Sequence, residues 1–539
     1  MGLRYRVVPE GNRGIRGLSV RSLLFAWLLC VICGQPVCGA ANLWTLANQQ
    51  AKVHRFSTLL TAQDVRQRLS SDEGLQAAID WCKQTGISKV YIEEFRDGYQ
   101  AERATLEKAA RAFRAAGFEV SGCVTTTRVG KASTGWKDVA CCYTDQATQE
   151  KVQAIFEYAA SLFDEIMIDD FWFTDCSCPD CDAARLAKTV TVGDHTYPVT
   201  GDTWEDYRCE LMTRVSRARL LAPAKRVNPK VRLIIKYPQW YDNFHMRGYE
   251  VVRETADFDR IWVGTETRDY QDQRWGGTPQ YEGYFIMRWL GGIGGTKCGG
   301  GWYDWLGTTE RTYLEQARQT ILGGAHKSML FCFGGLHGST GPKDVEALRA
   351  NMPELLAVAR EVRDRPIVGV AAYKPPNSHP EKEARVFDFV GMMGVPLTPC
   401  HEFPTNAPAA FFSVHALKDA DFVPKLEKFV LARKPVLLTD GLARALAHRM
   451  KLDLANIQIL PVKDDPKSLL QFDQKECDEV RAPLLRPFKT SFQAPARVAL
   501  YLFKDKSWVV ENFNDEAVHV QVNGKSMEIA GRFWVQHWR

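Results

Sequence analysis

Apolar positions along the chain follow two alternating rhythms. Short runs rich in β-branched and aromatic residues, such as "SKVYIEEF", "FEVSGCVTTT", "EIMIDDFWF", "KVRLIIKYPQW" and "FDRIWVGTETRD", read as buried strands. Between them lie stretches with apolar residues at helical spacing, "EGLQAAIDWCKQTG" and "ATLEKAARAFRAAG" among them, many closed by a Gly that suits a helix C-terminus. Eight such β/α units between about residues 50 and 345 predict a TIM-type (β/α)8 barrel over residues 41–350. The seventh strand has two candidate segments. "TPQYEGYFIMRWLGG" carries Thr278 as a cap, Pro279 at the first turn and Gly at its end, so it reads as a helix. The strand is then "KCGGGWYDW".

From about residue 366 the pattern restarts. "PIVGVAAYKP", "AAFFSVHAL" and "KPVLLTDG" alternate with helical stretches and predict a doubly wound α/β domain over 366–470. Residues 490–539 alternate apolar and polar positions around a "VNGK" turn, the pattern of a small antiparallel β domain.

Charge and composition narrow the picture. The chain of 539 residues is 45% apolar and 25% charged, enough for several packed cores. Residues 1–40 hold five Arg and one Glu, then "SLLFAWLLCVICG" and a small-residue exit at "VCGA", which reads as a secretory signal. Without that segment the formal charge falls from +5 to +1, which removes the electrostatic case for a nucleic-acid or anionic-membrane partner. The expectation is a periplasmic or secreted protein, free of the membrane after cleavage. No sequence signature asks for an organic cofactor.

The chemistry concentrates where barrel enzymes keep it, at the C-terminal strand ends. Glu93 and Glu94 end the second strand, Asp169 and Asp170 the fourth, Glu266 the sixth and Asp304 the seventh; Lys236 and Trp240 follow the fifth, and Trp172 follows the aspartates. Carboxylates interleaved with aromatics suit an oligo- or polysaccharide, and two carboxylates are the minimum for cleaving a glycosidic bond. The candidate catalytic pair is Asp170 and Glu266, with Asp304 in reserve and Asp169 orienting its neighbour. Glu93, Glu94, Trp172, Lys236 and Trp240 are candidates for substrate contact. The competing expectation is a carbohydrate-binding protein on a degenerate barrel. A metal-dependent hydrolase ranks last, because no H-x-H or H-E-x-x-H pattern occurs.

"CSCPDC" sets Cys176, Cys178 and Cys181 at a spacing that can converge on one ion, with Cys142 or Cys141 as a fourth thiolate. Four thiolates would close the coordination shell of a structural zinc. Disulfides, and free buried cysteines, remain open alternatives.

This cysteine pattern after a strand-four acid resembles the zinc cluster of glycoside hydrolase family 42, the β-galactosidases. The domain order is also similar: barrel, amidotransferase-like domain, small β domain. The resemblance implies a structural zinc and homo-oligomer contacts through the amidotransferase-like domain. It does not extend to the acids: Asp169–Asp170 stands where the family has Asn–Glu, and strand seven offers Asp304 in place of a Glu. A strand-four Asp with a strand-six acid is instead similar to retaining α-glycosidase barrels. Cys400, in "LTPCHEF", lacks the Gly-x-Cys-x-Gly elbow of an active amidotransferase.

Overall fold

The computed structural model describes residues 42–268, 278–338 and 341–539. The expected export segment and Asp269 lie outside them. Leu43–Arg539 forms one compact unit.

Eight parallel strands close into a barrel: β1 (Arg55–Leu60), β2 (Lys89–Arg96), β3 (Glu119–Val124), β4 (Glu165–Ile168), β5 (Arg232–Tyr237), β6 (Arg260–Gly264), β7 (Cys298–Asp304) and β8 (Lys327–Phe331). Closure comes from β1, which pairs with both β2 and β8. The expected seventh strand is β7, and Glu282–Gly294 is the helix before it. That helix starts later than expected, with Tyr281 rather than Thr278 at its N-cap.

One side chain from each strand fills the barrel axis: Leu59, Tyr91, Cys123, Met167, Ile234, Trp262, Trp302 and Met329, each at most 2% exposed. The interior is therefore a packed core, as expected of this architecture. Side chains alternate along a strand, so the next inward position is two residues on. Applied to six of the strands, that step gives Glu93, Thr125, Asp169, Lys236, Asp304 and Phe331. The polar layer at the mouth is thus fixed by the apolar layer beneath it.

Beyond the barrel, the helix Gly341–Arg363 leads to a second sheet of five parallel strands. These are β9 (Val370–Tyr373), β10 (Leu397–Cys400), β11 (Ala410–Phe412), β12 (Val436–Thr439) and β13 (Ile457–Leu460), in the order β10-β9-β11-β12-β13. That order is the flavodoxin-like winding. The C-terminal region is antiparallel. Strands β14 (Val498–Phe503), β15 (Trp508–Asn512) and β18 (Trp534–His537) form one sheet, and β16 (Val518–Val522) and β17 (Lys525–Ile529) form a hairpin. The hairpin turn is Asn523–Gly524, both at positive φ (51° and 79°), as a two-residue type I′ loop requires.

Candidate active site

Two carboxylate–cation–carboxylate clusters stand side by side in the barrel mouth. In the first, Lys236 Nζ donates to Asp170 Oδ2 at 2.8 Å and to Glu266 Oε1. Two oxygens hydrogen-bonded to one nitrogen lie no more than about 5 Å apart. Lys236 itself is 1% exposed and sits 4.5 Å from the centre of the Trp302 ring. Glu266 reaches back from beyond the end of β6 over Gly264, where a Cβ would stand 2.4 Å from Glu266 Oε2; only glycine leaves room there. The side-chain amide of Gln239, oriented to suit its neighbours, donates to Glu266 Oε2 at 3.2 Å and accepts from Arg268 at 3.3 Å. Asp170 is the open member of the cluster, with its side chain 19% exposed.

In the second cluster Arg96 bridges Glu93 at 2.8 Å and Asp169 at 2.7 Å. The Thr125 hydroxyl lies within hydrogen-bond reach of both acids, with one proton to give, and the Ala62 amide donates to Glu93 at 2.8 Å. Asp169 also accepts from the Asp170 amide at 2.8 Å. Every member is buried or nearly so. Asp304, on β7, is engaged by Arg268 through Nε at 3.2 Å and Nη2 at 2.6 Å.

The electrostatics separate the two aspartates. Burial raises the Asp170 carboxyl, Lys236 pulls against it, and the charges of Asp169 and Glu266 add to the rise, which carries it up to about 7. Burial also raises Glu266, opposed by Lys236 and assisted by Asp304. Burial pushes Asp169 up too, but Arg96 and then Lys236 outweigh it and hold the group below the usual carboxylate range. Burial works against the Lys236 cation, yet Asp170, Glu266 and Asp169 together hold its pKa above the ordinary lysine value. Asp170, carried up to about 7, is suited to hold and release a proton near neutral pH, as one member of an acid/base pair must.

Three further sequence candidates behave differently. Trp240 stays at the rim, half-buried, with Arg247 stacked on its ring at 4.5 Å. Trp172 does not reach the mouth. It is fully buried, packs on Tyr143 and Phe156, and donates its N–H to Ser216 at 2.8 Å. Glu94 also turns away. It follows inward-facing Glu93 on a strand, so its carboxylate points to the helix side, fully buried and without a hydrogen-bond partner. Burial and then Glu93 push its pKa well above the usual value. Neither side chain faces the barrel mouth, where both were expected.

Residues that the sequence reading passed over complete the site. They are Arg96, Thr125, Gln239, and Tyr249, whose hydroxyl donates to the Asp170 carbonyl at 2.7 Å. The exposed Trp136 and half-buried Phe171 widen the aromatic rim. Arg96 had a local signal, standing three residues after Glu93 in "EEFR"; the others had none.

The cysteine half of "DDFWFTDCSCPDC" forms its own site. The thiol sulfurs of Cys142, Cys176, Cys178 and Cys181 lie within 4.8 Å of one another, all buried. Cys142 is 3.5 Å from Cys181 and 3.9 Å from Cys178, and Cys178 is 3.6 Å from Cys181. Four thiolates about 2.3 Å from a tetrahedral ion stand about 3.8 Å apart, whereas a disulfide needs about 2.0 Å. The donor set therefore fits a metal ion, and no disulfide forms among the described residues. Cys141 is turned away toward the Thr126 carbonyl, which leaves Cys142 as the fourth thiol. Cys178 and Pro179 open the helix Pro179–Leu186, with Pro at its first position. The cluster joins this helix to the loop after β3, beside the strand-four acids.

Acids and aromatics on the C-terminal rim of a parallel barrel suit a carbohydrate-active protein. Residues 41–349 match the family described as "Probable glycosyl hydrolase, catalytic domain", and the chain belongs to that family. A Saccharolobus solfataricus protein described as uncharacterised is 27% identical over 367 residues, covering 64% of this chain and 60% of its own length. The match thus spans less than two thirds of that relative. Among solved structures, alpha-L-fucosidase isoenzyme 2 from Paenibacillus thiaminolyticus has a TM-score of 0.61 at 9% identity, over 90% of this chain and 98% of its own. At that identity the likeness is one of fold.

Proposed function

We propose that this protein is an exported glycoside hydrolase in which Asp170 and Glu266 are the catalytic pair. The observation that carries the reading is their shared Lys236, at the barrel mouth of a chain from a glycosyl hydrolase family. A separation of about 5 Å or less supports a retaining course. One carboxylate attacks the anomeric carbon while the other gives its proton to the leaving oxygen, so the glycosidic bond breaks as a glycosyl ester forms. The second carboxylate, now ionised, takes a proton from water. That water attacks the anomeric carbon and frees the first carboxylate. Lys236 keeps one partner ionised throughout, and Gln239 steadies Glu266.

The cysteine cluster would hold a zinc ion. Four thiolates leave it no open position, so its contribution is to clamp the loop carrying Asp170. Kinship with family 42 is proposed no further than this clamp, because the acids differ. Export rests on the residue pattern of segment 1–40 alone.

The test is hydrolysis by the purified chain of a panel of α- and β-linked chromogenic glycosides, α-L-fucosides included. It is run beside Asp170→Asn and Glu266→Gln. Turnover lost in both variants supports the pair. Turnover that survives Glu266→Gln moves the second role to Asp304. Sugar binding without turnover on any substrate favours a carbohydrate-binding protein.

A further inference from the structure

The seam between the second sheet and the C-terminal sheets holds a cavity of about 740 Å³. That is within the range of ligand sites, roughly 300–1,000 Å³. None of its residues comes from the barrel strand ends. Lys489, Lys504, Lys506 and Arg539 line it, and among the described residues no Asp or Glu side chain does. The three lysines are exposed, and among the described residues none has an ion-pair partner. The one acid between them in sequence, Asp505, is turned onto Arg365 at 2.7 Å. This concentration of cations stands in a chain whose overall charge is close to balanced. The wall between the cations is apolar: Ile367, Val368 and Phe488 are half-buried there, and His537 stacks on Trp508 at 5.4 Å. Thr398 and Thr490 add polar side chains to the lining.

Unpaired ammonium groups around a partly apolar wall match one ligand chemistry well. The groups to be bound are anionic substituents on sugar rings, whose C–H faces are apolar and whose hydroxyls seek partners. We propose that this seam binds a stretch of acidic glycan, bearing uronate carboxylates or sulfate esters, and so retains a polymeric substrate while the barrel works on another part of it. The service to catalysis rests on the glycosidase reading; the binding does not.

A second observation agrees. At the barrel mouth Arg247 is stacked on Trp240, Phe173 and Trp136, and among the described residues no carboxylate forms an ion pair with it. Stacking leaves the guanidinium edge free for an anion.

The test is calorimetric titration of the full chain carrying Glu266→Gln, which keeps the glycan intact during measurement. The probes are an oligogalacturonate, a sulfated oligogalactan and cellohexaose. Lys489→Glu, Lys504→Glu and Lys506→Glu are then combined in the same background. All three positions are exposed, and an unchanged thermal melt verifies the fold. The expected result is binding of an acidic probe, weakened about tenfold or more by the triple charge reversal and by about 1 M salt, where the Debye length is about 3 Å. Binding of one acidic probe alone names the anion; binding of both supports the shared chemistry. The proposal is overturned by no binding of either acidic probe, by equal affinity for cellohexaose, by inorganic sulfate competing as well as the glycan, or by affinity indifferent to charge reversal. Wild-type hydrolysis is scored separately, so a chain that binds but cleaves nothing loses the enzymatic reading and keeps this site.

Discussion

Asp169 and Asp170 are neighbours in sequence yet belong to two clusters of the same composition, each with two carboxylates and one cation. The Glu93–Arg96–Asp169 cluster is closed. Arg96, Thr125, the Ala62 amide and the Asp170 amide supply donors to its oxygens, and Asp169 is held ionised. The Asp170–Lys236–Glu266 cluster is open. Its cation offers a single nitrogen to two acids, and the more exposed acid titrates up to about 7. On the proposed assignment, acid count does not mark the chemistry. Incomplete pairing of a desolvated acid does, because such a group can hold and release a proton near neutral pH.

The sharpest way to break this comparison is to neutralise one acid of the open cluster. Asp170→Asn and Glu266→Gln are each expected to lower kcat/KM by about 10³-fold, the scale of a positioned acid/base. The melt of Asp170→Asn should change little. In the closed cluster the order of effects reverses. Arg96→Met leaves Glu93 and Asp169 buried without their cation, and urea unfolding should record a loss of about 3–5 kcal/mol.

The pH dependence follows from the opposite shifts. Asp170 has a raised pKa in the folded state, so the native protein holds a proton there between the ordinary carboxylate range and about 7. Stability therefore falls as pH rises through that window. Asp169 is lowered, so its contribution is present above the ordinary range and is lost as pH falls. Unfolding curves should show Asp170→Asn gaining on wild type as the pH climbs toward 7, whereas Asp169→Asn gains on wild type as the pH falls. In kcat/KM the Asp170 proton is expected to set an alkaline limb near 7.

Smaller effects are expected away from the acids. Elemental analysis should find about one zinc per chain, lost in Cys178→Ser together with part of the activity but not the fold of the barrel. The smallest effect is Trp172→Phe, which removes one hydrogen bond to Ser216. It should cost about 1 kcal/mol in a thermal melt and leave KM unchanged.

The contrast also shows how far the residues alone reach. Alternating strand and helix patterns are strong local signals, and they outline the eight strands, β7 among them, and the Asn523–Gly524 hairpin. Strand ends position acids, so Asp170, Lys236 and Glu266 could be named before their contacts were visible. Which way a side chain faces was not legible. Glu93 and Glu94 are equivalent in the sequence, and their faces are set by the pleat of β2, whose pairing with β3 is irregular just there. Trp172 reads as a better sugar platform than Phe171, but the bend after Asp169 turns Phe171 to the rim and Trp172 into the core. Arg96 reaches Asp169, 73 residues on, and Gln239 reaches Glu266 just past the next strand, links that no local pattern encodes.

The measurement that tests the open cluster most directly is the configuration of the first sugar released, followed by proton NMR on whichever glycoside the chain cleaves. Two carboxylates joined through one ammonium leave no room for a water between them and the sugar, so the first product should keep the anomeric configuration of the substrate. Release of the opposite anomer would contradict the Asp170–Lys236–Glu266 assignment.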